Sequence, residues 1–513
     1  MATDITAMKG NDGQVWQGDP ALTNPDLVPT PVKDRKWTWW TYSALWMGMV
    51  HNLFNFTWIG GLMAAMGMSV GQALSIAITG NVIQTLLIGL NGRVGARHGI
   101  PFAVWSRSAF GVFGANIPAL TRGLVAIGWF GVQSYLGATA INVLLEVAIG
   151  PWKNLGNSSV LGAPTNLMIA MIIYWAVNIL VVRHGMDTVR RFENWAGPMV
   201  FVVMFFLLIW AVNAAGGIGP VFHTPSKYSS TGAFLLTGFI PMVAIYISGS
   251  WATMVLNIPD LTRFARSNKE QFWGTMIGLP VATAVFYIMA AIIVSACIPL
   301  FGKALWNPSD ILMAINNPLL SAFGAILLAV ATISVNIPAN IVSPAYDLTN
   351  LLPKFFNFKR GAVFSIVLAF LYMPWKLMEN PAVLYGILNN IGALLGPATG
   401  IIIADFFIVR KQLLDIPELY RVNGIYRYNK GFNPVGLGVL AVTTGIIFLG
   451  EFVKSVGWLY EYAWFVGLIL AFVSYLAAVW VIRSTDSKLK ANYEPRGTFG
   501  VELVEAAKEV PVI

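Results

Sequence analysis

Twelve separate apolar stretches dominate this 513-residue chain, and each is long enough to cross a bilayer as a helix of about 20 residues. Because a crossing segment must satisfy its own backbone polar groups, the pattern predicts an all-α helical bundle. The alternating ten-residue pattern typical of a membrane β-barrel is absent from the sequence. The predicted spans are roughly 39–65, 70–91, 117–148, 163–183, 196–215, 232–256, 274–299, 311–337, 361–378, 382–409, 434–453 and 460–482.

The composition agrees with a protein that lies almost wholly in the membrane. Only 11% of the residues are charged and 57% are hydrophobic, whereas soluble proteins carry about 25% charged residues. The first 36 residues are polar and lack the apolar core of a secretory signal, so we expect no cleaved leader. The single cysteine, Cys297, excludes an internal disulfide.

The basic residues predict how the chain is oriented. Lys and Arg cluster in the connections after spans 2, 4, 6, 8 and 10 and are sparse in the others. Cytoplasmic loops carry this excess, so we expect both termini in the cytoplasm and a location in the inner (plasma) membrane. The net charge of +9 is spread over several loops, which disfavours a nucleic-acid surface.

The sequence carries no recognisable catalytic or metal-binding pattern. Its four histidines are scattered, and neither an HExxH motif, a GxSxG motif nor a glycine-rich phosphate loop is present. We therefore predict neither an enzyme nor an ATP-driven pump, with no metal and no organic cofactor. A carrier for a neutral polar molecule would instead need aromatic and amide side chains on helices that break near the membrane midplane.

Such side chains occur in four of the spans. In span 3, Trp129 and Gln133 are four residues apart and share one helix face. Spans 1 and 6 are five apart, the offset of an inverted repeat, and we expect them to open near Gly48 and 248–250. The other polar and aromatic candidates in spans 1, 6 and 8 are His51, Asn52, Ser250, Trp251, Thr332, Ser334, Asn336 and Asn340.

Each candidate also has an ordinary structural explanation. Trp129 alone is more typical of packing, and membrane amides often only join helices. His51 can be a satisfied interior histidine, and hydroxyls such as Ser334 can bond to their own helix. The concentration of these groups in four spans favours a shared ligand site.

Seven ordered blocks of the sequence match a known family. They are "LWMGMVHN", "GIPFAVWSRSAFGVFGANIPALTRG", "GWFGVQSYLG", "NIPDLTRFA", "ATISVNIPANIVSPAYDL", "PWKLMEN" and "LLGPATGIIIADFFIVRK". On these blocks the chain resembles the nucleobase:cation symporter-1 family, most closely its bacterial allantoin permease branch, and the resemblance covers roughly residues 30–485.

The resemblance implies a LeuT-type fold with two inverted repeats of five helices and two peripheral helices. It implies a first repeat at 37–215, a second at 232–410 and peripheral helices at 433–483. These are flanked by cytoplasmic tails at 1–36 and 484–513. We expect the protein to act as a monomer.

The resemblance also assigns roles to individual residues. The substrate would lie between the indoles of Trp129 and Trp251, and Leu388 matches a gate and selectivity position. The implied substrate is a neutral heterocycle, most closely allantoin or a hydantoin. A uracil or purine permease, an amino-acid carrier and a non-transporting sensor remain alternatives. The remaining substrate-binding positions carried over are Asn52, Gln133, Ser250 and Asn340.

The coupling ion, Na⁺ or H⁺, is less well defined by the resemblance. Sodium-coupled relatives bind the ion where spans 1 and 8 cross, and Val335 replaces one of their two hydroxyls. A missing oxygen weakens a sodium shell, so we expect proton coupling or facilitated uptake, with His51 as the titrating group. The positions that match this cation or proton site are Gly48, His51, Ala331 and Ser334.

Overall fold

The structure, a computed structural model, describes residues 7–9, 15–51, 53–64, 66–217, 226–303, 305, 308–314, 317–378, 381–497 and 502–504. Within this part of the chain, ten helices are long and apolar enough to cross a membrane. They are span 2 (Val70–His98), span 3 (Asn116–Ala148), span 4 (Thr165–Val182), span 5 (Met186–Ala214), span 6 (Thr231–Gly249), span 7 (Asn268–Phe301), span 8 (Pro318–Leu351), span 10 (Asn390–Val409), span 11 (Pro434–Phe452) and span 12 (Ala463–Thr485).

The other two predicted spans are present as shorter helices. Span 1 consists of Trp39–Val50 and Leu53–Ala64. Span 9 consists of Phe358–Leu368 and a 3₁₀ turn at Ala369–Tyr372. The architecture is therefore consistent with twelve crossings, although two of them are not single uninterrupted helices.

The remaining helices and strands are short connecting elements. The helix of span 10 begins at Pro381, ahead of its most apolar part. Two hairpin strands, β3 (Ser159–Val160) and β4 (Ala163–Pro164), lie between spans 3 and 4. The short helices are Phe102–Trp105, Arg107–Phe110, Ala252–Asn257, Pro259–Thr262, Pro308–Ala314, Pro374–Leu377, Trp458–Glu461 and Ser487–Lys490.

Spans 1, 6 and 8 depart from regular helix in their middle sections. Span 1 is interrupted after Val50, and span 6 is interrupted at Ser250 and Trp251 before a helix resumes at Ala252. Span 8 contains a π-helical turn at Ile337–Ile341, where Pro338 has no backbone N–H to donate. The predicted opening of span 6 is confirmed, whereas span 1 opens three residues beyond Gly48.

Burial separates the central helices from the peripheral ones. In the most apolar window, 72% of span 7 and 78% of span 10 are buried, against 22% for each of spans 11 and 12. Spans 11 and 12 therefore leave most of their surface for lipid, as expected of two helices at the edge of the bundle.

The two terminal segments meet on one face of the molecule. Strand β1 (Ala7–Lys9) pairs with β2 (Val15–Trp16) and with β5 (Glu502–Val504), and all pairs are antiparallel. The segment before span 1 is also packed, because Leu22 and Leu27 are buried and Asn24 donates to the Pro353 carbonyl at 2.7 Å. Termini on one face agree with an even number of crossings.

Candidate functional site

A cavity lies where the interrupted helices of spans 1, 6 and 8 face span 3. Five of the predicted substrate residues line it: Trp129, Gln133, Ser250, Trp251 and Asn340. None of its lining residues carries a charge. The others are Asn55, Gly249, Thr253, Val335 and Ala339.

Gln133 and Trp251 bring unused hydrogen-bonding groups to this cavity. Oε1 of Gln133 and Nε1 of Trp251 are buried, and neither has a hydrogen-bond partner among the described residues. The Trp251 ring packs edge-on against Trp46, with ring centroids 5.5 Å apart, which fixes its plane. A buried polar atom left unpaired costs free energy, so both groups favour a ligand with complementary donors and acceptors.

Ser250 is oriented by Gln84, a buried residue of span 2. The Ser250 hydroxyl donates to Oε1 of Gln84 at 2.8 Å, and Nε2 of Gln84 donates to the Ile247 carbonyl at 2.8 Å. This carbonyl belongs to the last turn before span 6 is interrupted. Gln84 therefore supports the interruption and leaves the Ser250 oxygen as an acceptor for the cavity.

Asn340 is held by a second buried amide. Nδ2 of Asn340 donates to Oδ1 of Asn336 at 2.9 Å. Nδ2 of Asn336 lies 3.3 Å from the Phe130 carbonyl and 3.3 Å from the Ser134 hydroxyl, both on span 3. The amide of Asn340 is thus positioned by contacts between spans 3 and 8.

Span 1 supplies an amide at a position that the sequence prediction did not single out. Asn52 lies outside the described residues, while Asn55 lines the cavity. Nδ2 of Asn55 donates to the Val50 carbonyl at 3.0 Å, at the end of the first half of the span. Asn55 thereby links the cavity to the interruption of span 1.

His51 is four residues before Asn55, which lines the cavity, but the His51 ring packs against spans 5 and 7. Its Nδ1 lies 2.7 Å from the Met47 carbonyl. Its ring centroid is 3.6 Å from that of Phe201 on span 5 and 4.6 Å from that of Phe286 on span 7. His51 is not among the lining residues.

The cation site predicted from the sequence has a neighbour that the sequence did not indicate, the carboxyl group of Glu193. Ser334 is buried, and its hydroxyl lies within hydrogen-bonding reach of the buried carboxyl group of Glu193. A Cβ atom at Gly48 would lie 2.4 Å from Oγ of Ser334 and 2.5 Å from Oε2 of Glu193 on span 5. The hydroxyl and the carboxylate therefore meet at the backbone of span 1. Ala331 is buried one turn before Ser334, and Val335 faces the substrate cavity.

Leu388 lies in the helix Pro381–Ile403, and its side chain is outside the described part of the structure. Its predicted role at a gate therefore stays a prediction. Thr332 does not line the cavity, and its hydroxyl donates to the Leu328 carbonyl at 2.6 Å, within its own helix.

The sequence analysis missed Gln84, Asn55 and Glu193. Gln84 and Asn55 could have been found, because an amide side chain inside an apolar span is costly in lipid and therefore indicates a structural or ligand-binding role. Glu193 was hidden because the predicted span 5 begins at 196, while the observed helix begins at Met186. The nearby Arg190 and Arg191 made this segment resemble a loop.

Comparison with known proteins agrees with this geometry. Residues 29–467 match the profile of a family described as permeases for cytosine/purines, uracil, thiamine and allantoin. An allantoin permease from Bacillus subtilis is 40% identical over 490 residues, covering 95% of this chain and 96% of that protein. A purine-uracil permease from Arabidopsis thaliana is 36% identical, covering 84% of this chain and 71% of that protein.

Solved structures confirm the predicted fold class. Mhp1, a nucleobase-cation-symport-1 family transporter solved in a closed conformation with bromovinylhydantoin bound, aligns with a TM-score of 0.76 at 26% identity. The alignment covers 92% of this chain and 99% of Mhp1. MhsT, solved with L-phenylalanine, shares the fold with a TM-score of 0.54 at 15% identity, over 86% of this chain and 100% of that chain. The family profile, the full-length relatives and the shared fold together identify this multi-pass membrane protein as a secondary transporter of the nucleobase:cation symporter-1 family.

Proposed function

We propose that this transporter imports a neutral heterocycle rich in amide groups, most closely allantoin or a hydantoin, by alternating access. The observation that carries the proposal is the pair of unpartnered groups at the cavity, Oε1 of Gln133 and Nε1 of Trp251. An amide-rich ring offers a donor to the first and an acceptor to the second.

The chemistry of the cavity favours a flat and uncharged ligand. Trp129 and Trp251 offer aromatic faces, which stack on planar rings without requiring one edge pattern. Gln133, Asn340 and Asn55 each carry an amide that complements an amide edge. Because no lining side chain is charged, the free carboxylate or ammonium of an amino acid would find no oppositely charged side chain in the cavity.

Relatives support this substrate class and its closest alternative. The 40% identical protein is named an allantoin permease, and a hydantoin permease from Microbacterium maritypicum is 28% identical over 482 residues. The Arabidopsis relative named for purines and uracil is 36% identical, so uracil or a purine is the second candidate. A sensor that binds such a ligand without moving it is a further alternative.

The cellular arrangement follows the same proposal. We infer that both termini lie in the cytoplasm and that the protein lies in the inner (plasma) membrane, because Lys and Arg cluster in every second connection of the sequence. We propose that it acts as a monomer. We further propose that residues 37–215 and 232–410 are the two inverted repeats, and that uptake is coupled to a monovalent cation. No role for an organic cofactor or a catalytic step is part of the proposal.

Ligand binding to the purified protein tests the substrate class directly. The protein would be titrated with allantoin, hydantoin, uracil, a purine and an amino acid whose side chain is uncharged, and the quenching of its tryptophan fluorescence would be measured. We expect saturable quenching by allantoin or hydantoin, and loss of that signal in Trp251→Phe. Saturation by the amino acid alone would overturn the proposal.

Leu388→Ala is expected to broaden the range of competitors that inhibit uptake. The position matches a gate and selectivity position of the family, and loss of bulk beside a pocket relaxes rejection of larger ligands. The measurement is inhibition of uptake by a series of 5-substituted hydantoins of increasing size. An unchanged inhibition profile at normal expression would place Leu388 in ordinary packing.

Gln84→Leu is expected to weaken substrate affinity about 5- to 10-fold, because the Ser250 hydroxyl would lose the group that orients it toward the cavity. The fold-change corresponds to the loss of one hydrogen bond with a net contribution of about 1–1.5 kcal/mol. Leucine cannot accept from the Ser250 hydroxyl or cap the Ile247 carbonyl. Ser250→Ala and the double variant complete a cycle measured by ligand binding. If the two effects are fully additive, Gln84 does not act through Ser250.

A further inference from the structure

A crevice with apolar walls lies between spans 3, 10 and 11, away from the substrate cavity. Its volume is about 380 Å³, and apart from Thr121 and Thr444 every side chain that lines it is a hydrocarbon. The Thr121 hydroxyl donates to the Ile117 carbonyl at 2.9 Å, within its own helix. Ile117 and Ala441 are exposed, so the crevice is open at the surface of the spans. Its walls include Ile117 and Thr121 of span 3, Leu395 and Ala398 of span 10, and Leu437 and Leu440 of span 11.

The crevice extends through one half of the membrane. Ile117 lies in the first turn of span 3 and Leu437 in the first turn of span 11, and both helices follow connections rich in Lys and Arg. At the other end the crevice reaches Thr444, which is ten residues beyond Pro434 and therefore about 15 Å deeper along the helix. This depth is about half of a 30 Å hydrocarbon core, which is the thickness of one leaflet.

Two basic side chains lie at the shallow end of the crevice. Arg427 and Lys430 belong to the connection that leads into span 11, both are exposed, and neither forms an ion pair among the described residues. Their turn is held against the start of span 3, because the Gly431 carbonyl accepts from the backbone N–H of Gly114 at 3.0 Å. A Cβ atom at Gly114 would in turn lie 3.3 Å from Cδ1 of Leu437, a lining residue. Positive charge therefore lies beside the entrance of an apolar space.

The walls of the crevice favour an acyl chain over other occupants. A heterocycle rich in amide groups would lose its hydrogen bonds against hydrocarbon walls. An ordered water needs two to four polar partners, which these side chains do not offer. An acyl chain needs no hydrogen bond and gains dispersion contacts with all three spans. Lys and Arg next to a membrane helix attract anionic headgroups, so the charge of the rim complements a phosphate.

We propose that this crevice is a binding site for an anionic phospholipid of the leaflet on the side of the basic connections. One acyl chain fills the space between spans 3, 10 and 11, and Arg427 and Lys430 bind the headgroup phosphate. The lipid thereby joins span 10, which carries Leu388, to span 3, which carries Trp129 and Gln133. The site is independent of which heterocycle the protein transports.

Native mass spectrometry of the purified full-length protein tests the crevice directly. The protein would be titrated with phosphatidylglycerol or with phosphatidylcholine of identical acyl chains. We expect one phosphatidylglycerol molecule to bind more tightly than any phosphatidylcholine. Ala441→Trp places an indole in the open side of the crevice and should remove this molecule. The matched control is Val442→Trp, because Val442 is 62% exposed on the same helix and is not a lining residue.

The role of the headgroup is tested separately, with the walls left intact. The double variant Arg427→Gln/Lys430→Gln should weaken binding of phosphatidylglycerol about 25-fold, or about 5-fold for each charge removed, and leave that of phosphatidylcholine unchanged. Lys454→Gln is the matched control, because Lys454 follows the opposite end of span 11. If Ala441→Trp does not fold, the double variant still decides the proposal.

The unfolding temperature provides a second readout that does not depend on transport. Phosphatidylglycerol should raise the unfolding temperature of the wild-type protein and of Val442→Trp to a saturating value, and should not raise that of Ala441→Trp. Equal binding by Ala441→Trp and the wild-type protein, or equal wild-type affinities for the two lipids, would overturn the site. A wild-type dimer that is lost in Ala441→Trp would also overturn it, because a second copy of this chain would then occupy the crevice.

Discussion

Replacing Trp129 or Gln133 by alanine is expected to abolish uptake at low substrate concentration while the protein still folds and reaches the membrane. Both residues line the cavity, and Gln133 presents an unpartnered amide oxygen there. Loss of a stacked indole or of a buried hydrogen-bond partner should cost on the order of 1–3 kcal/mol, which is about a 5- to 150-fold loss of affinity. The measurement is initial-rate uptake over a range of substrate concentrations.

Trp480→Ala is the matched control for this pair. Trp480 is also an indole in a membrane helix, but it is 72% exposed on span 12, away from the cavity. Its removal should leave uptake unchanged. Normal uptake by Gln133→Ala at low substrate would mean that its amide serves only helix packing.

Ser343→Ala is expected to favour the state that is open to the cytoplasm. Ser343, on span 8, accepts from Nδ2 of Asn257 and donates to Oδ2 of Asp260, both beyond the interruption of span 6. All three side chains are fully buried, on the side of the cavity that leads to the basic connections. Hydrogen bonds to a charged group contribute about 1.5–3 kcal/mol, so their loss would shift the equilibrium about 10- to 150-fold.

Cysteine labelling measures this shift. In a Cys297→Ser background, a cysteine at Ala339 would report access to the cavity from the cytoplasmic side of inverted vesicles. We expect faster labelling by an impermeant maleimide when Ser343→Ala is added. Ser365→Ala is the control, because that hydroxyl donates only to a carbonyl of its own helix, Gly361. Equal labelling rates would show that the Ser343 contacts do not hold the cytoplasmic side closed.

The sequence was sufficient for features that depend on hydropathy and spacing. The spans follow from the length of the apolar runs, and Trp129 with Gln133 share a face because of helical periodicity. The interruption of span 6 was predictable from its Ser-Gly-Ser run. In span 1 the first helix ends at Val50, so the interruption lies at His51. Gly48 is still helical, and its lack of a side chain allows span 1 to pack closely against Glu193.

Other features depend on tertiary contacts and could not be predicted from spacing. The sequence predicts that His51 lies near the middle of span 1, but the direction of its ring is set by Phe201 and Phe286, which lie far from it in the sequence. Gln84 matters only because span 2 lies against the interruption of span 6. Charge and hydropathy alone place Glu193 in a loop, whereas the first turns of span 5 are helical and pack against span 1.

Uptake of radiolabelled allantoin by whole cells tests the central claim most directly. Cells that express the wild-type protein, Trp129→Ala or no transporter would be compared, with unlabelled hydantoin, uracil, a purine and an amino acid as competitors. The account predicts saturable accumulation by the wild-type protein alone, inhibition by hydantoin and none by the amino acid. Binding of allantoin without any accumulation would contradict transport, and equal accumulation by Trp129→Ala would contradict the site.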